Sequence, residues 1–565
     1  MRTFDWIVMC GFVGFVVLYG TWKSKNAQDV NTYLRAGRTS SWWLVALSIM
    51  ATQASAITFL STPGQAYVDG MRFVQFYLGL PIAMIILSIT AVPIYNKLNV
   101  YTAYEYLENR FDLKNRMLGS ALFLTQRGLA AGFTIYAPSL ILSVILGWEM
   151  NITIIVVGAM VIIYTTVGGT VAVNKTHFLQ MIIITVGMFA AFYILMSLLP
   201  EEVSFIDAAY VAGKMGKLNA IDFTFDLSNR YTFWSGIIGG TFLMLSYFGT
   251  DQSQVQRYLA GSSVAQSRLA LLTNGIIKVP MQFIILFIGA MVFVFFQFVT
   301  PPLFFNPVEE AKVKSGLYGS EYKLIEKEFA EIQNQKQTEL KAFISSIDRG
   351  DEEQLEAQTE IIIEHQKNAD ELKNRAVRII KKSDPQADAN DTNYIFLTFI
   401  INFLPVGFVG LLIAAILSAS MSSTSAELNA LASTTVIDFY KRLIKKDAND
   451  RQYVKVSKIA TVFWGIYAIL FALFAKELGS LIEAVNILGS LVYGTILGIF
   501  LTAFYFKNVT GTPTFMAALI AELIVLYCFL FTEIPFLWYN VIGCLVVVVV
   551  AFLLSKFLKS SANAK

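Results

Sequence analysis

Long apolar runs alternate with short polar breaks along this chain, and nearly every run approaches the roughly 20 residues of helix that a bilayer crossing takes. The runs fall near 4–21, 41–65, 73–95, 118–146, 152–167, 177–199, 233–250, 269–298, 405–437, 453–475, 479–506, 512–532 and 536–555, which predicts about 13 transmembrane helices. The first run lacks a strongly basic start and a clear small-residue cleavage site, and further spans follow at once. It reads as a retained helix and not as a signal peptide. One polar stretch stands apart. Residues 300–393 are charged and helix-prone, with a little apolar surface at Ile361, Ile362 and Ile363, and they predict a solvated helical hairpin.

Composition agrees with the pattern. Hydrophobic residues make up 56% of the 565 and charged residues 15%, against about 25% charged in soluble domains. Cys10, Cys528 and Cys544 all lie inside apolar runs and form neither a metal pattern nor a disulfide framework. Lysine and arginine in short loops mark the cytoplasmic side. They cluster at Lys23, Lys25, Arg35 and Arg38, at Lys97, Arg110, Lys114 and Arg116, and at Arg257 and Arg268. Further clusters are Lys441, Arg442, Lys445 and Lys446, then Lys507, Lys556 and Lys559, while alternate loops carry Glu149, Glu201, Glu202, Asp207 and Glu533. This puts the N-terminus outside, the C-terminus inside and the 300–393 insertion on the extracytoplasmic face. The expected plan is a peripheral helix and loop at 1–40, a first repeat and the start of a second at 41–299, the insertion at 300–393, the rest of the second repeat at 394–510, and two peripheral helices with a short tail at 511–565.

Three spans are too polar for plain anchors. The second carries Gln53, Ser55 and Thr58 mid-membrane, with Pro63-Gly64 near its outer end; the seventh carries Gly236, Gly239, Gly240 and Gly249. Small residues also serve close helix packing, but interrupted helices at corresponding positions, five spans apart, point to an inverted-repeat transporter. The repeats would be spans two to six and seven to eleven. The ninth span holds Ser418, Ser420, Ser422, Ser423, Thr424 and Ser425. Ala419, Ser422 and Ser423 fall on one helical face. Hydroxyls and freed carbonyls without a carboxylate make a hard-oxygen cage suited to a monovalent cation more than to calcium.

Several segments together give the chain its resemblance to a known family: TAYEYLENRF at 102–111, IYAPSLIL at 135–142, YTTVGGTVAV at 164–173, DQSQVQRYL at 251–259 and FLPVGFVGLLIAAILSASMSSTSAELNALAS at 403–433. In this order the chain resembles the sodium/solute symporter family, which includes sodium/sialic acid, sodium/glucose and sodium/iodide symporters. The resemblance implies an all-α, LeuT-like 5+5 inverted repeat and sodium-coupled uptake of a small solute by alternating access. It implies a sodium site of the Ala51, Ala54 and Ala419 carbonyls with the Ser422 and Ser423 hydroxyls, and a gating role for Tyr247. Two positions depart from the family pattern. Where an aspartate is common, the chain reads Lys175-Thr176-His177, and after Ser425 comes Ala426 in place of a second hydroxyl. One sodium per solute is therefore expected. Glu427, next in the ninth span, needs a partner or a wet cavity, and His177 is one candidate.

Substrate clues are thinner. Ser55 and Thr58 fall where the sialic acid branch lines its pocket, with Gln53 a further substrate-side candidate beside them, and that branch carries a carboxylate-clamping arginine on the fourth span. The chain has Ala130 there, with Arg127 three residues earlier on roughly the same face. Guanidinium suits a carboxylate, so an anionic solute such as a sialic acid or monocarboxylate is expected; the alternative is a structural Arg127, snorkelling toward the cytoplasmic side or paired with an internal carboxylate. Lys278 reads as lying near the inner end of the eighth span. A neutral-sugar symporter, a proton-coupled carrier or exchanger, and a sensor are the competing classes. An enzyme is not expected: the chain has no phosphate loop, no HExxH and two histidines, His177 and His365. Sodium, the solute and the bilayer are the expected partners, with no nucleic acid or protein partner indicated, and a bacterial inner membrane is the expected location.

Overall fold

The computed structural model describes residues 1–24, 40–98, 100–474 and 480–563, and within these the side chains other than those at 17, 20–24, 167–179, 348 and 558–563. Of the first basic loop, Lys25, Arg35 and Arg38 lie outside the described residues, as do the side chains of Lys23, Lys175, Thr176 and His177. Every element among the described residues is helical. They run α1 Thr3–Ser24, α2 Trp42–Gln53, α3 Ala56–Asp69, α4 Leu80–Ile89, α5 Ala91–Leu98, α6 Glu105–Arg110, α7 Leu113–Leu146, α8 Met150–Ser197, α9 Phe205–Lys214, α10 Gly240–Gly249 and α11 Gln252–Leu259. There follow α12 Val264–Phe298, α13 Pro307–Ser315, α14 Gly319–Arg349, α15 Glu352–Ser383, α16 Ile395–Phe403, α17 Phe408–Thr434, α18 Asp450–Ala472, α19 Leu481–Tyr505, α20 Gly511–Phe531 and α21 Phe536–Asn563. Among the described residues, nine helical stretches are long and apolar enough to cross a membrane, and five shorter apolar helices accompany them.

Two of the shorter helices stop mid-bundle. α2 ends at Gln53 and α3 begins at Ala56, and the Thr58 hydroxyl donates to the Gln53 carbonyl oxygen at 3.1 Å, covering one acceptor freed by the break. α10 ends at Gly249 and α11 begins at Gln252, with the Asp251 carboxylate capping the new helix through the Ser253 N–H at 2.8 Å. The breaks fall beside the residues that suggested them. α3 runs straight through Pro63-Gly64, and Gly64 serves a contact: a Cβ there would sit 2.0 Å from the Thr392 carbonyl oxygen. Gly236 likewise presses on the Gln75 backbone. Close packing explains these glycines, and the chain opens elsewhere.

The insertion folds as an antiparallel pair, α14 against α15, sealed by Tyr322, Ile325 and Phe329 against Leu372, Ala376 and Ile379. Ile362 is buried while Ile361 and Ile363 stay exposed, the alternation expected of a helix with one covered face. Further along, Phe343 stacks on Tyr210 of α9, and at the base Lys373 pairs with Asp391 at 2.9 Å. Beside that base the Asp388 carboxyl is pushed up to about 7 by burial, with Glu309 adding to the push and hydrogen bonds from Asn390, Tyr394 and Tyr136 opposing it. A folded-state value above the unfolded one means the fold keeps a proton that the unfolded chain gives up. Stability should therefore fall as pH rises from about 4 to about 7. Asp388→Asn should flatten that slope in thermal-unfolding scans, and an unchanged slope would remove Asp388 as its source.

Candidate transport site

The first break opens on a pocket lined by Thr52, Gln53, Ser55 and Thr58 around it, Tyr247 from α10, Gln126 and Arg127 from α7, Lys278 from α12, Glu427 from α17, and Asn486 and Tyr493 from α19. The three substrate-side candidates from the second span, Gln53, Ser55 and Thr58, thus meet Arg127 and Tyr247 in one place.

Charge is concentrated at one wall. Arg127 is buried, and its Nε donates to Asp251 Oδ2 at 3.0 Å while Nη1 donates to Glu427 Oε1 at 3.0 Å. Nη2 reaches both Asp251 and the Tyr493 hydroxyl. The guanidinium also lies 5.4 Å from the centre of the Tyr247 ring, whose hydroxyl accepts from Gln254 Nε2 at 2.7 Å. Arg127 therefore has two internal carboxylates, the structural alternative raised by the sequence. Glu427 is held by Arg127 and by the Thr134 hydroxyl at 3.2 Å; the side chain of His177, its other candidate partner, lies outside those described.

Sequence reasoning missed Lys278. The helix carrying it starts at Val264, several residues before the apolar run, so Lys278 falls near mid-helix and lines the pocket. It is 1% exposed and makes no hydrogen bond or ion pair among the described residues; the centre of the Tyr77 ring lies 5.9 Å from its Nζ. An ammonium so buried needs a counter-charge. Asp251 was also missed: it reads as an ordinary helix cap in DQSQVQRYL, and nothing in the sequence announces that Arg127, 124 positions away, meets it. Two buried acceptors on the pocket wall, Gln53 Oε1 and Gln126 Oε1, have no donor among the described residues.

Two of the five cation candidates, Ser423 and Ala51, meet next to the first break. The Ser423 hydroxyl donates to the Ala51 carbonyl oxygen at 3.1 Å, so α17 and the end of α2 are in contact there. Ser422 Oγ is buried without a partner among the described residues, and Ala54 and Ala419 are buried too. An orphaned hydroxyl beside the carbonyl end of a broken helix, with no carboxylate among the five candidates, is a donor set that fits sodium. Ser425 is occupied instead by Thr165, hydroxyl to hydroxyl at 2.6 Å.

The profile of the sodium:solute symporter family matches residues 33–315 and 382–521. The chain belongs to the sodium:solute symporter family. The match skips most of the α14–α15 hairpin. A sodium/sialic acid symporter of Aliivibrio fischeri is 23% identical over the whole chain and 95% of its own length. One from Proteus mirabilis is 24% identical over 96% of the chain and 93% of its own length. A sodium-coupled monocarboxylate transporter of Mus musculus is 26% identical over 88% of the chain and 68% of its own length. In fold, the chain is similar to a sodium-coupled sialic acid symporter solved in a substrate-bound, outward-open state, with TM-score 0.74, 21% identity and 98% of each chain covered. It is also similar to a nucleobase-cation-symport-1 transporter, with TM-score 0.50, 12% identity, and 94% and 96% covered.

Proposed function

We propose that this protein couples sodium entry to the uptake of a small hydroxylated carboxylate by alternating access between the two faces of a membrane. The observation that carries the anionic reading is Lys278. The pocket's other cation is already bound by Asp251 and Glu427, so Lys278 is the charge left for a solute carboxylate. The orphaned Gln53 and Gln126 carbonyls would accept from solute hydroxyl or amide groups. The sialic acid and monocarboxylate relatives have solutes of this class by name.

Electrostatics then supplies a reason for coupling. With all four ionised, Arg127, Lys278, Asp251 and Glu427 sum to zero charge. A carboxylate arriving alone leaves the buried site negative, and a cation alone leaves it positive; the pair together restores balance. The proposed sodium ligands Ala51, Ala54, Ala419, Ser422 and Ser423 adjoin Thr52 and Gln53 of the pocket, so each ligand should favour the other reciprocally. Thirteen spans in a 5+5 inverted repeat, the N-terminus outside, the C-terminus and its basic loops inside, and residence in a bacterial inner membrane complete the reading.

Ser422→Ala and Ser423→Ala should each weaken sodium binding by about 1–3 kcal/mol, roughly 5- to 150-fold, because an oxygen is lost from a buried site. Solute affinity at fixed sodium should fall in step. Sodium-dependent thermal stabilisation measures this, and wild-type sodium dependence in both variants would remove the proposed site.

A further inference from the structure

At the end of α17 the helix widens into a π-helical turn, Thr435–Ile444, that meets α6 and the start of α7. Here a second cavity of about 380 Å³ opens between Tyr101, Glu105, Arg116, Ile437, Lys441, Arg442 and Lys446. Its two arginines are already used. Arg116 pairs with Glu108 at 2.8 Å and Asp438 at 2.6 Å, and Arg442 pairs with Glu108 at 2.5 Å. Glu105 caps the turn below by accepting the Tyr101 and Thr102 N–H groups at 2.7 and 3.0 Å. Lys441 and Lys446 make no ion pair among the described residues. Lys441 rests between the Tyr101 and Tyr453 rings, 5.5 and 5.6 Å from their centres. The Tyr453 hydroxyl donates to the Lys446 carbonyl at 2.6 Å and so fixes the backbone beneath the second lysine.

Between these lysines stand Leu443 and Ile444, 54% and 74% exposed. Large aliphatic side chains do not face water between charges without cause, but at the rim of a bilayer they face acyl chains. A basic pocket with an apolar flank at a membrane boundary has the chemistry of an anionic headgroup site.

We propose that this cavity binds a phosphate group, that of an anionic phospholipid, with the phosphate between Lys441 and Lys446 and an acyl chain along Leu443 and Ile444. The bound headgroup would tie the end of the helix that carries Ser422 and Ser423 to α6 and α7. A free phosphate ion shares the charge but has no use for the aliphatic pair.

The test is native mass spectrometry of the full chain with phosphatidylglycerol, phosphatidylcholine and inorganic phosphate as probes. Each lysine near a membrane surface is worth about fivefold in affinity, so Lys441→Gln with Lys446→Gln should weaken phosphatidylglycerol retention by about 30-fold and leave phosphatidylcholine unchanged. Leu443→Ser with Ile444→Ser should also weaken it, and millimolar inorganic phosphate should not displace it. Lys446→Gln alone, on an exposed side chain, gives a fold-neutral variant with about a fivefold loss. Unchanged retention in the lysine variants overturns the proposal. Displacement by inorganic phosphate with no effect of the aliphatic changes overturns the lipid assignment in favour of a soluble anion.

Discussion

Lys278→Gln should remove most solute binding while leaving the protein folded. Losing one partner of a buried, hydrogen-bonded charge pair costs about 2–5 kcal/mol, roughly 30- to 5000-fold in affinity. The free protein should be stabilised by the same change, since it no longer buries an amine that has no hydrogen-bond or ion-pair partner among the described residues. Lys278→Arg keeps the charge on a bulkier head and should recover part of the affinity. The loss should be confined to carboxylate solutes, with neutral analogues of similar shape little affected. Isothermal titration with such a pair measures both at once, and equal losses for the two would sink the anionic reading.

Arg127 should behave in the opposite way. Arg127→Met strands Asp251 and Glu427 as buried unpaired carboxylates, a change that costs about 3–5 kcal/mol. Most of the effect should appear as lost folded protein and a lower thermal midpoint. Adding Asp251→Asn and Glu427→Gln to Arg127→Met removes the stranded charges and should restore much of the fold. A variant that folds normally with Arg127→Met alone, yet loses carboxylate solutes selectively, would return the clamp role to Arg127.

How much of this could be read from sequence depended on the range of the interaction. Apolar runs announce membrane helices because the bilayer imposes its thickness on each segment separately. The amphipathic pattern of residues 319–383 likewise carries its own hairpin, with Ile362 covered and its two neighbours exposed. The hydroxyls at 422 and 423 could be picked out because an oxygen-rich face in an apolar span is anomalous locally. The pocket charges could not. Arg127 looked available because its partners lie 124 and 300 residues away, and Lys278 looked peripheral because its helix begins before its apolar run. Proline and glycine marked the neighbourhood of both breaks, but Gly64 and Gly236 serve contacts with Thr392 and Gln75, and the backbone opens at Ala54–Ser55 and Thr250–Asp251.

The coupling of one sodium to one carboxylate is tested most directly by uptake into proteoliposomes under imposed gradients. Sialic acid and short monocarboxylates should be compared there with a neutral hexose. An inward sodium gradient should drive accumulation of the carboxylate, collapse of a proton gradient should not matter, and an imposed membrane potential should have little effect, because one cation and one monoanion cross together. Accumulation that proceeds without sodium, or that favours the hexose over every carboxylate, would contradict the account.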